Sequence, residues 1–364
     1  MPEQGEASPL FNSRSTLDLM FSPSYDNPNV LRGTHHGFLT HVAGSYTAFA
    51  HGGTLAGSTA VLEILPSQRF GVVLLSNGRT ALGGNDLISD LLDLIMGCSF
   101  AVDLPIVEGL PNAASVAGSF IQLRRREGTI METANTLYNY WRVDAINENT
   151  ITFTWAAPFG MSTGIEITYQ QIAPHVFRAI SATDEAMHIV RGMYELHFIM
   201  ENGNPVRIST SWVTDATIQT FSQSMTAFMA GFAIIIVSSI FFLVMSIVAF
   251  VGFLRRKEKT TNIFAQLSNS LLACGLLFAV NFIAFELRYV ASSVVFLFPT
   301  NFATPHVWIN LGLLAISAVV FVATLIFWKK DAVTTKYRVY FFSIIVLLIM
   351  HMLVLWQWNY FVMQ

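Results

Sequence analysis

The part of the sequence best suited to chemistry is a short run of histidine, glycine and hydroxyl residues near position 50. It reads His51-Gly52-Gly53-Thr54, and Ser58 follows a few residues later. Adjacent glycines let a ligand approach the backbone closely, and backbone N–H groups exposed there can donate to an oxyanion. A histidine at the end of a strand can contact a carboxylate or transfer a proton. The pattern fits such a site, and it equally fits a glycine-rich connection between strands beside a partly buried histidine.

Short strands flank this run on both sides. The sequence predicts them at about 37–42, 46–50, 58–65 and 70–76. The last two are joined by Pro66–Arg69 and form a predicted hairpin. The apolar stretch Val72–Leu75 is typical of a strand buried on both faces. A helix is predicted over Asn85–Met96, with leucine and isoleucine on one side and aspartate on the other.

A different pattern follows a proline-containing linker at 105–112. Short strands are predicted at regular spacing, at about 116–123, 138–145, 150–155, 164–170, 176–179, 193–200 and 205–209. Asn202-Gly203 is a favourable hairpin turn between the last two, because both residues accept positive φ. Seven short strands with such turns predict a small antiparallel barrel or sandwich over 113–215. This block has no cluster of histidine, cysteine or carboxylate that would indicate chemistry of its own.

The composition places the rest of the chain in a membrane. Of the 364 residues, 53% are hydrophobic and only 12% are charged, whereas soluble domains carry about 25% charged residues. A membrane-spanning helix needs about 20 apolar residues, and four stretches meet this requirement. We predict spans at 225–254, 263–285, 307–328 and 339–358. They contain few polar residues, so a transporter, although one alternative, lacks a polar path.

Charge is distributed unevenly between the two halves. Residues 1–225 hold 11 arginines, no lysine and 20 acidic residues, a net charge of −9, which argues against binding to nucleic acid. Residues 226–364 hold 9 cations and 3 acids, a net charge of +6. The cations concentrate in loops 255–262 and 329–338, which should therefore face the cytoplasm. We expect a multi-pass protein of the cell membrane, in contact with lipid, with residues 1–225 outside the cytoplasm.

Neither an export signal nor a metal site is visible in the sequence. Met1–Leu10 is polar and lacks the apolar core of a signal peptide, although an outer domain should need one. We therefore expect the natural protein to have residues before Met1. Cys98 and Cys274 lie in different halves and cannot pair, and no zinc-ligand spacing occurs. We expect neither a metal nor a cofactor.

Taken in order, the motifs between Ser15 and about Ser211 resemble the β-lactamase-related serine hydrolases. This family includes class C β-lactamases, penicillin-binding-protein-like peptidases and esterases, and the most similar members are membrane-anchored. His51-Gly52-Gly53 is similar to its third active-site motif, a His-x-Gly version of Lys-Thr-Gly. The other similar segments are the helix Ser15–Met20 with Pro23, the strand Gly37–Leu39, the strand end Ser76-Asn77, and Val116–Phe120 with Arg124 and Arg125.

The resemblance implies an α+β architecture in three parts. Residues 1–104 would be the C-terminal part of a catalytic α/β sheet, and 113–215 an accessory antiparallel β domain before the four-helix transmembrane bundle. His51 and Gly53 would edge the active site, and the N–H of Thr54 would belong to the oxyanion hole. Gly52 and Ser58 would contact substrate. In the full-length form the substrate would be a cell-wall peptide, a β-lactam or an ester, cleaved by acyl transfer.

The family's nucleophile is absent from this sequence. It is the serine of Ser-x-x-Lys, and the first lysine here is Lys257, in a predicted cytoplasmic loop. Tyr25-Asp26-Asn27 fits the family's Tyr-x-Asn only by chance, because the family's tyrosine lies much further before the third motif. We therefore expect the C-terminal part of a hydrolase, inactive as this chain, or else a non-catalytic membrane protein with an outer binding domain. In the first case the sheet should expose an open edge and apolar faces.

Overall fold

The computed structural model describes most of the chain as two compact units. The described residues are 13–24, 34–43, 46–55, 58–77, 87, 90–92, 94–95, 104–123, 128, 132, 140–156, 162–210, 215–255, 262–291, 299–328 and 334–362. One unit comprises 1–124 and 137–219, and the other comprises 125–136 and 220–364. The predicted fold class is confirmed: α and β structure are mixed, with a sheet, a closed antiparallel barrel and four long apolar helices.

The sheet has five antiparallel strands in chain order, and a short helix, α1 (Arg14–Met20), precedes it. Its strands are β1 (Thr34–His35), β2 (Phe38–Ala43), β3 (Tyr46–Leu55), β4 (Ser58–Leu65) and β5 (Phe70–Ser76). The predicted hairpin of β4 and β5 is confirmed by seven consecutive residue pairs. The strand β1 reaches β2 through His36 and Gly37, whose φ values of 47° and 103° suit a two-residue hairpin turn.

The strand β3 is longer than the sequence analysis predicted. It was expected to end at Ala50, with the glycines in a connection, but the pairing with β4 continues to Leu55. Gly52 pairs with Val61 and Gly53 with Ala60. The prediction of a short strand was wrong because glycine lowers strand propensity, while ten residues of ladder hold these glycines extended. The run that could do chemistry, His51–Thr54, is therefore part of the strand.

One face of the sheet is buried. Ala48, Val61 and Leu65 pack in one apolar cluster with Leu92. Leu92 belongs to the predicted helix 85–96, of which the described residues are helical; positions 85–86, 88–89, 93 and 96 lie outside the described part. Leu87 and Ile95, which were predicted for the apolar side of that helix, are 59% and 51% exposed. Among the described residues of this helix, Leu92 is therefore the one that packs in the apolar cluster.

The opposite face of the sheet is open, and this corrects the prediction for Val72–Leu75. Val73 and Leu75 are 61% and 75% exposed, whereas Val72 and Leu74 pack against the apolar cluster. The strand is thus buried on one face only, and no described residue covers its second face. Exposed apolar side chains on one face of the sheet were expected from the sequence; that the sheet is part of a catalytic domain stays a prediction.

The barrel is closed by eight strands, each paired with its neighbours along the chain and the last with the first. They are β6 (Gly118–Gln122), β7 (Tyr140–Ala145), β8 (Thr150–Ala156), β9 (Ser162–Ala173), β10 (Val176–Ala182), β11 (Glu195–Glu201), β12 (Asn204–Thr210) and β13 (Ala216–Ile218). The strand β13 was not predicted, because it has only three residues. The predicted turn at Asn202-Gly203 is confirmed, with φ of 51° and 79°.

Large side chains fill the inside of the barrel. Trp141, Phe153, Tyr169 and Phe177 are fully buried and belong to one cluster. The Tyr169 hydroxyl donates to the Met193 carbonyl at 2.6 Å, and burial raises the pKa of this tyrosine well above its ordinary value. The barrel is therefore a packed core in which a backbone acceptor holds the Tyr169 phenol.

A buried ion pair joins the sheet to the barrel within their common unit. Arg191, which follows the short helix α2 (Met187–Val190), donates from Nη2 to Glu63 Oε1 at 2.8 Å. Its Nε donates to the Val42 carbonyl at 3.1 Å, and the Val42 N–H donates back to the Arg191 carbonyl at 3.0 Å. Strands β2 and β4 are thereby tied to the same arginine.

The C-terminal unit contains four helices long and apolar enough to cross a membrane. They are α3 (Met225–Arg255), α4 (Ile263–Ala291), α5 (Pro299–Ile326) and α6 (Thr335–Gln357). All four predicted spans are confirmed as helices, and they fit a multi-pass membrane protein. The cationic residues Arg256, Lys257, Lys259, Lys329 and Lys330 lie outside the described residues.

Polar side chains inside the bundle bind one another. Asn281 Nδ2 donates to the His306 carbonyl at 2.9 Å and to Asn310 Oδ1 at 2.8 Å. Ser238 Oγ lies 2.7 Å from His351 Nδ1. Such interhelical hydrogen bonds satisfy polar groups where no water is present. They favour a helix-packing role for these residues.

Close packing in the bundle depends on Gly275. A Cβ at this position would lie 2.7 Å from the buried Phe242 ring, whereas a Cβ at Gly312 would meet nothing within 4 Å. We predict that Gly275→Ala lowers the free energy of unfolding of the bundle by about 1–3 kcal/mol, because the ring must shift in a packed core. Gly312→Ala, the matched control, should leave stability unchanged or slightly raised. Helical circular dichroism during titration with sodium dodecyl sulfate measures both, and equal effects would contradict the packing.

Candidate functional site

His51 stands on the open face of the sheet and is oriented by the β1–β2 turn. Its side chain is exposed, and its Nδ1 is hydrogen-bonded to the Gly37 carbonyl oxygen. Because a carbonyl can only accept, Nδ1 carries the proton and Nε2 of the neutral ring is an acceptor. His51 can therefore accept a hydrogen bond or a proton from a ligand that lies on this face.

The two glycines beside His51 differ in their surroundings. A Cβ on Gly52 would lie 3.3 Å from the Ala60 carbonyl oxygen and 3.5 Å from Val61 Cγ2. A Cβ on Gly53 would meet nothing within 4 Å. Gly52 is thus needed for the close pairing of β3 with β4, whereas Gly53 leaves open space above the sheet.

Two grooves meet at Gly53. The first, of about 380 Å³, is lined by Gly53 and by His36, Gly37, Phe38, His51, Gly52, Ala60, Val61, Leu62, Val73 and Leu75. The second, of about 850 Å³, is lined by Gly53 and by Ser58, Thr59, Ala60, Leu75, Ser76 and Asn77. The first groove is mostly apolar, and the second carries hydroxyl and amide groups. Gly53, Ala60 and Leu75 belong to both.

The structure brings together most of the residues predicted for the site. His51, Gly52 and Gly53 line the first groove, and Ser58 is exposed in the second. Thr54 pairs with Thr59 in the β3–β4 ladder, and its side chain lies outside the described residues. The assignment of its N–H to an oxyanion hole stays a prediction. Tyr25 also lies outside the described part of the chain.

Other residues of the site escaped the sequence analysis. Leu62, Val73 and Leu75 provide the apolar wall of the first groove, but leucine and valine in a strand pattern are indistinguishable from core residues. Glu63, which is 2% exposed and ion-paired with Arg191, fixes the back of β4. A signal for it was present: a carboxylate occupies an inward position between the apolar Val61 and Leu65.

Two further histidines near the site, His35 and His41, have structural roles. His35 is buried, with Nδ1 2.8 Å from the Phe21 carbonyl oxygen and Nε2 2.7 Å from Thr40 Oγ1. His41 Nδ1 lies 3.8 Å from Glu63 Oε1 on the buried face. Among the described residues, no group of three or more histidine, cysteine or carboxylate side chains is placed to hold a metal ion.

The two glycines provide a direct test of this geometry. We predict that Gly52→Ala costs about 1 kcal/mol of unfolding free energy, because the new methyl group crowds the Ala60 carbonyl. Gly53→Ala, the matched control on the adjacent residue, should leave stability unchanged or slightly raised, since alanine loses less backbone entropy. Amide hydrogen exchange across 46–65 in the full chain measures both. Faster exchange in Gly53→Ala than in Gly52→Ala would contradict the assignment of the faces.

Comparisons with known proteins give only distant matches. No family model and no curated protein matches this chain. Among solved structures, the octameric penicillin-binding protein homologue from Pyrococcus abyssi is 13% identical with a TM-score of 0.22, over 56% of this chain and 42% of that chain. SurE with D-Leu is 13% identical with a TM-score of 0.29, over 56% and 44% of the two chains. SurE itself is 13% identical with a TM-score of 0.30, over 57% and 43%. The chain spans less than half the length of these proteins, and at such TM-scores the similarity carries no argument.

Proposed function

We propose that the open face of the sheet is one wall of an acyl-transfer site of the β-lactamase-related serine hydrolase type, anchored by the four C-terminal helices. The observation that supports this most is the meeting of two grooves at Gly53, beside a histidine whose Nε2 is an acceptor. A carbonyl group placed over Gly53 would have backbone on one side and His51 on the other. This is the arrangement that the His-x-Gly motif implies.

The chemistry would require a nucleophile from outside these 364 residues. In acyl transfer the serine oxygen bonds to the substrate carbonyl carbon, the bond to the alcohol or amine breaks, and water then releases the acid. The sequence contains no Ser-x-x-Lys. The part played by this chain is therefore to bind the substrate and to contribute hydrogen bonds to the oxyanion or leaving group. The full-length substrate would be a cell-wall peptide, a β-lactam or an ester, and this chain alone would be inactive.

The proposed location is the cell membrane, with residues 1–225 outside the cytoplasm. Two observations support this orientation. Arg255 ends α3, and Lys336 and Arg338 begin α6, so these cations belong to the loops expected in the cytoplasm. Arg288, near the opposite end of α4, is hydrogen-bonded to His306 within the bundle at 2.8 Å, so we do not count it as a loop cation on that side.

The second candidate is a non-catalytic membrane protein with an outer binding domain. The same grooves favour it, because a groove without a nucleophile still binds ligands. The two candidates differ in what a matching serine–lysine partner would do. If the open face is one wall of a hydrolase site, a partner polypeptide that carries Ser-x-x-Lys restores acylation. If this chain is only a binding domain, the same partner does not.

Covalent labelling distinguishes these functions. We predict that the full chain in lipid nanodiscs is not labelled by a fluorophosphonate or a fluorescent penicillin, since it holds no Ser-x-x-Lys. Co-expression with a polypeptide that carries the family's Ser-x-x-Lys should create fluorophosphonate labelling on that serine, and His51→Ala should reduce it at least about tenfold.

Two outcomes would contradict the proposal. Labelling of the chain alone that is lost in Ser58→Ala would place a nucleophile in this chain. An upstream region without Ser-x-x-Lys, or a folded partner that stays unlabelled, would favour the binding domain. Ser13→Ala, on an exposed serine before α1, is the control for Ser58→Ala.

A further inference from the structure

The two grooves also define the charge and shape of the ligand, and this inference rests on the proposed function. We infer that the site binds an uncharged acyl ester or amide, which among the substrates proposed above selects an ester or an uncharged amide over a β-lactam or a peptide that ends in a carboxylate. The acyl part of this ligand lies in the apolar groove, its carbonyl over Gly53, and its neutral polar alcohol or amine part in the second groove.

The apolar groove suits a hydrocarbon group. Leu62, Val73 and Leu75 lie side by side on neighbouring strands, since Leu62 pairs with Val73 and Ala60 with Leu75. Val73 and Leu75 are more than half exposed to solvent. Covering them with an acyl chain removes apolar surface from water and is therefore favourable.

The second groove suits neutral polar groups. Ser58, Ser76 and Asn77 offer hydroxyl and amide groups, which can both donate and accept hydrogen bonds. Such groups match the hydroxyls of a polyol or the amides of a short peptide. They provide no fixed charge to hold a carboxylate.

The charge of the groove-lining residues also limits which ligands can bind. None of the described residues lining either groove is lysine, arginine, aspartate or glutamate. A carboxylate ligand would lose hydration without gaining a cation, which is costly in an apolar groove. Residues 1–225 also carry a net charge of −9, with 11 arginines against 20 acids, which repels anions at a distance.

The junction of the grooves suits a carbonyl group. The side-chain positions of Gly53 and Ala60 pair across β3 and β4 and together present only one methyl group. Space therefore remains where a bulky residue would block the backbone. His51 lines the same apolar groove, and its Nε2 is an acceptor available to an N–H or O–H of the ligand.

An isosteric pair of ligands tests the inference. N-butyryl-alaninamide is neutral, and N-butyryl-alanine has nearly the same shape but carries a carboxylate. We expect the amide to bind the full chain in nanodiscs at least about tenfold more tightly, by saturation-transfer NMR with empty nanodiscs as the blank. Leu75→Asp should weaken amide binding at least about tenfold. Leu94→Asp, the same change at a residue that is 83% exposed and lines neither groove, should leave it unchanged.

The outcomes separate this inference from the proposed function. Tighter binding of the carboxylate, still sensitive to Leu75→Asp, would overturn the ligand class while the site stands. Arg79 follows Asn77 by two positions and lies outside the described residues, so Arg79→Gln then tests whether it supplies the cation. Binding of neither ligand, or amide binding indifferent to Leu75→Asp, would overturn the site and with it the hydrolase proposal. Because Leu75 is already exposed, its replacement should not disturb folding, and circular dichroism checks this.

Discussion

The arrangement of the N-terminal unit depends on the buried ion pair between Arg191 and Glu63. Both side chains are 2% exposed, and their nearest atoms are 2.8 Å apart. Removing two charges from water costs several kcal/mol per ion, and only good geometry with further hydrogen bonds offsets that cost. Arg191 has such bonds to the backbone of Val42. Any other position of the sheet against the barrel would separate these buried charges and therefore cost free energy.

Because side chains alternate between the two faces of a β-strand, the buried ion pair also fixes which residues lie on the opposite face of the sheet. In β4, the side chains of Val61, Glu63 and Leu65 are buried, so those of Ala60 and Leu62 must point to the grooves. The strand β3 lies between β2 and β4, both of which are bound to Arg191. The position of His51 and Gly53 is thus set from behind by residues that no ligand on the open face would touch.

Local patterns in the sequence were enough for most of the elements. The hairpin of β4 and β5, the Asn202-Gly203 turn and the four apolar helices were all predicted, because each depends on residues close together in the chain. The extension of β3 through its glycines was not predicted, because tertiary pairing outweighs their weak strand propensity. The three-residue strand β13 was missed since it is stable only as the closing strand of a barrel.

The candidate site was predicted only in part, because only some of its residues are recognisable from local type and spacing. His51, Gly52 and Gly53 stand out by type and spacing, whereas the exposed Val73 and Leu75 have the sequence pattern of a buried strand. Their exposure depends on what covers the sheet, which a single sequence does not reveal. The Arg191–Glu63 pair joins residues 128 positions apart, and no local pattern identifies such a partner.

The most direct test of this account is a double-mutant cycle on the buried pair in the full chain. Arg191→Met and Glu63→Gln should each lower the free energy of unfolding by about 3–5 kcal/mol, and the double variant should lose clearly less than their sum. Hydrogen exchange of β3 should rise in each single variant. The exposed pair Arg142–Asp144, with 62% and 50% exposed side chains, is the matched control, and Arg142→Met should cost no more than about 1 kcal/mol. If Arg191→Met costs no more than Arg142→Met, or if exchange of β3 does not change, the buried pair does not hold the open face in place.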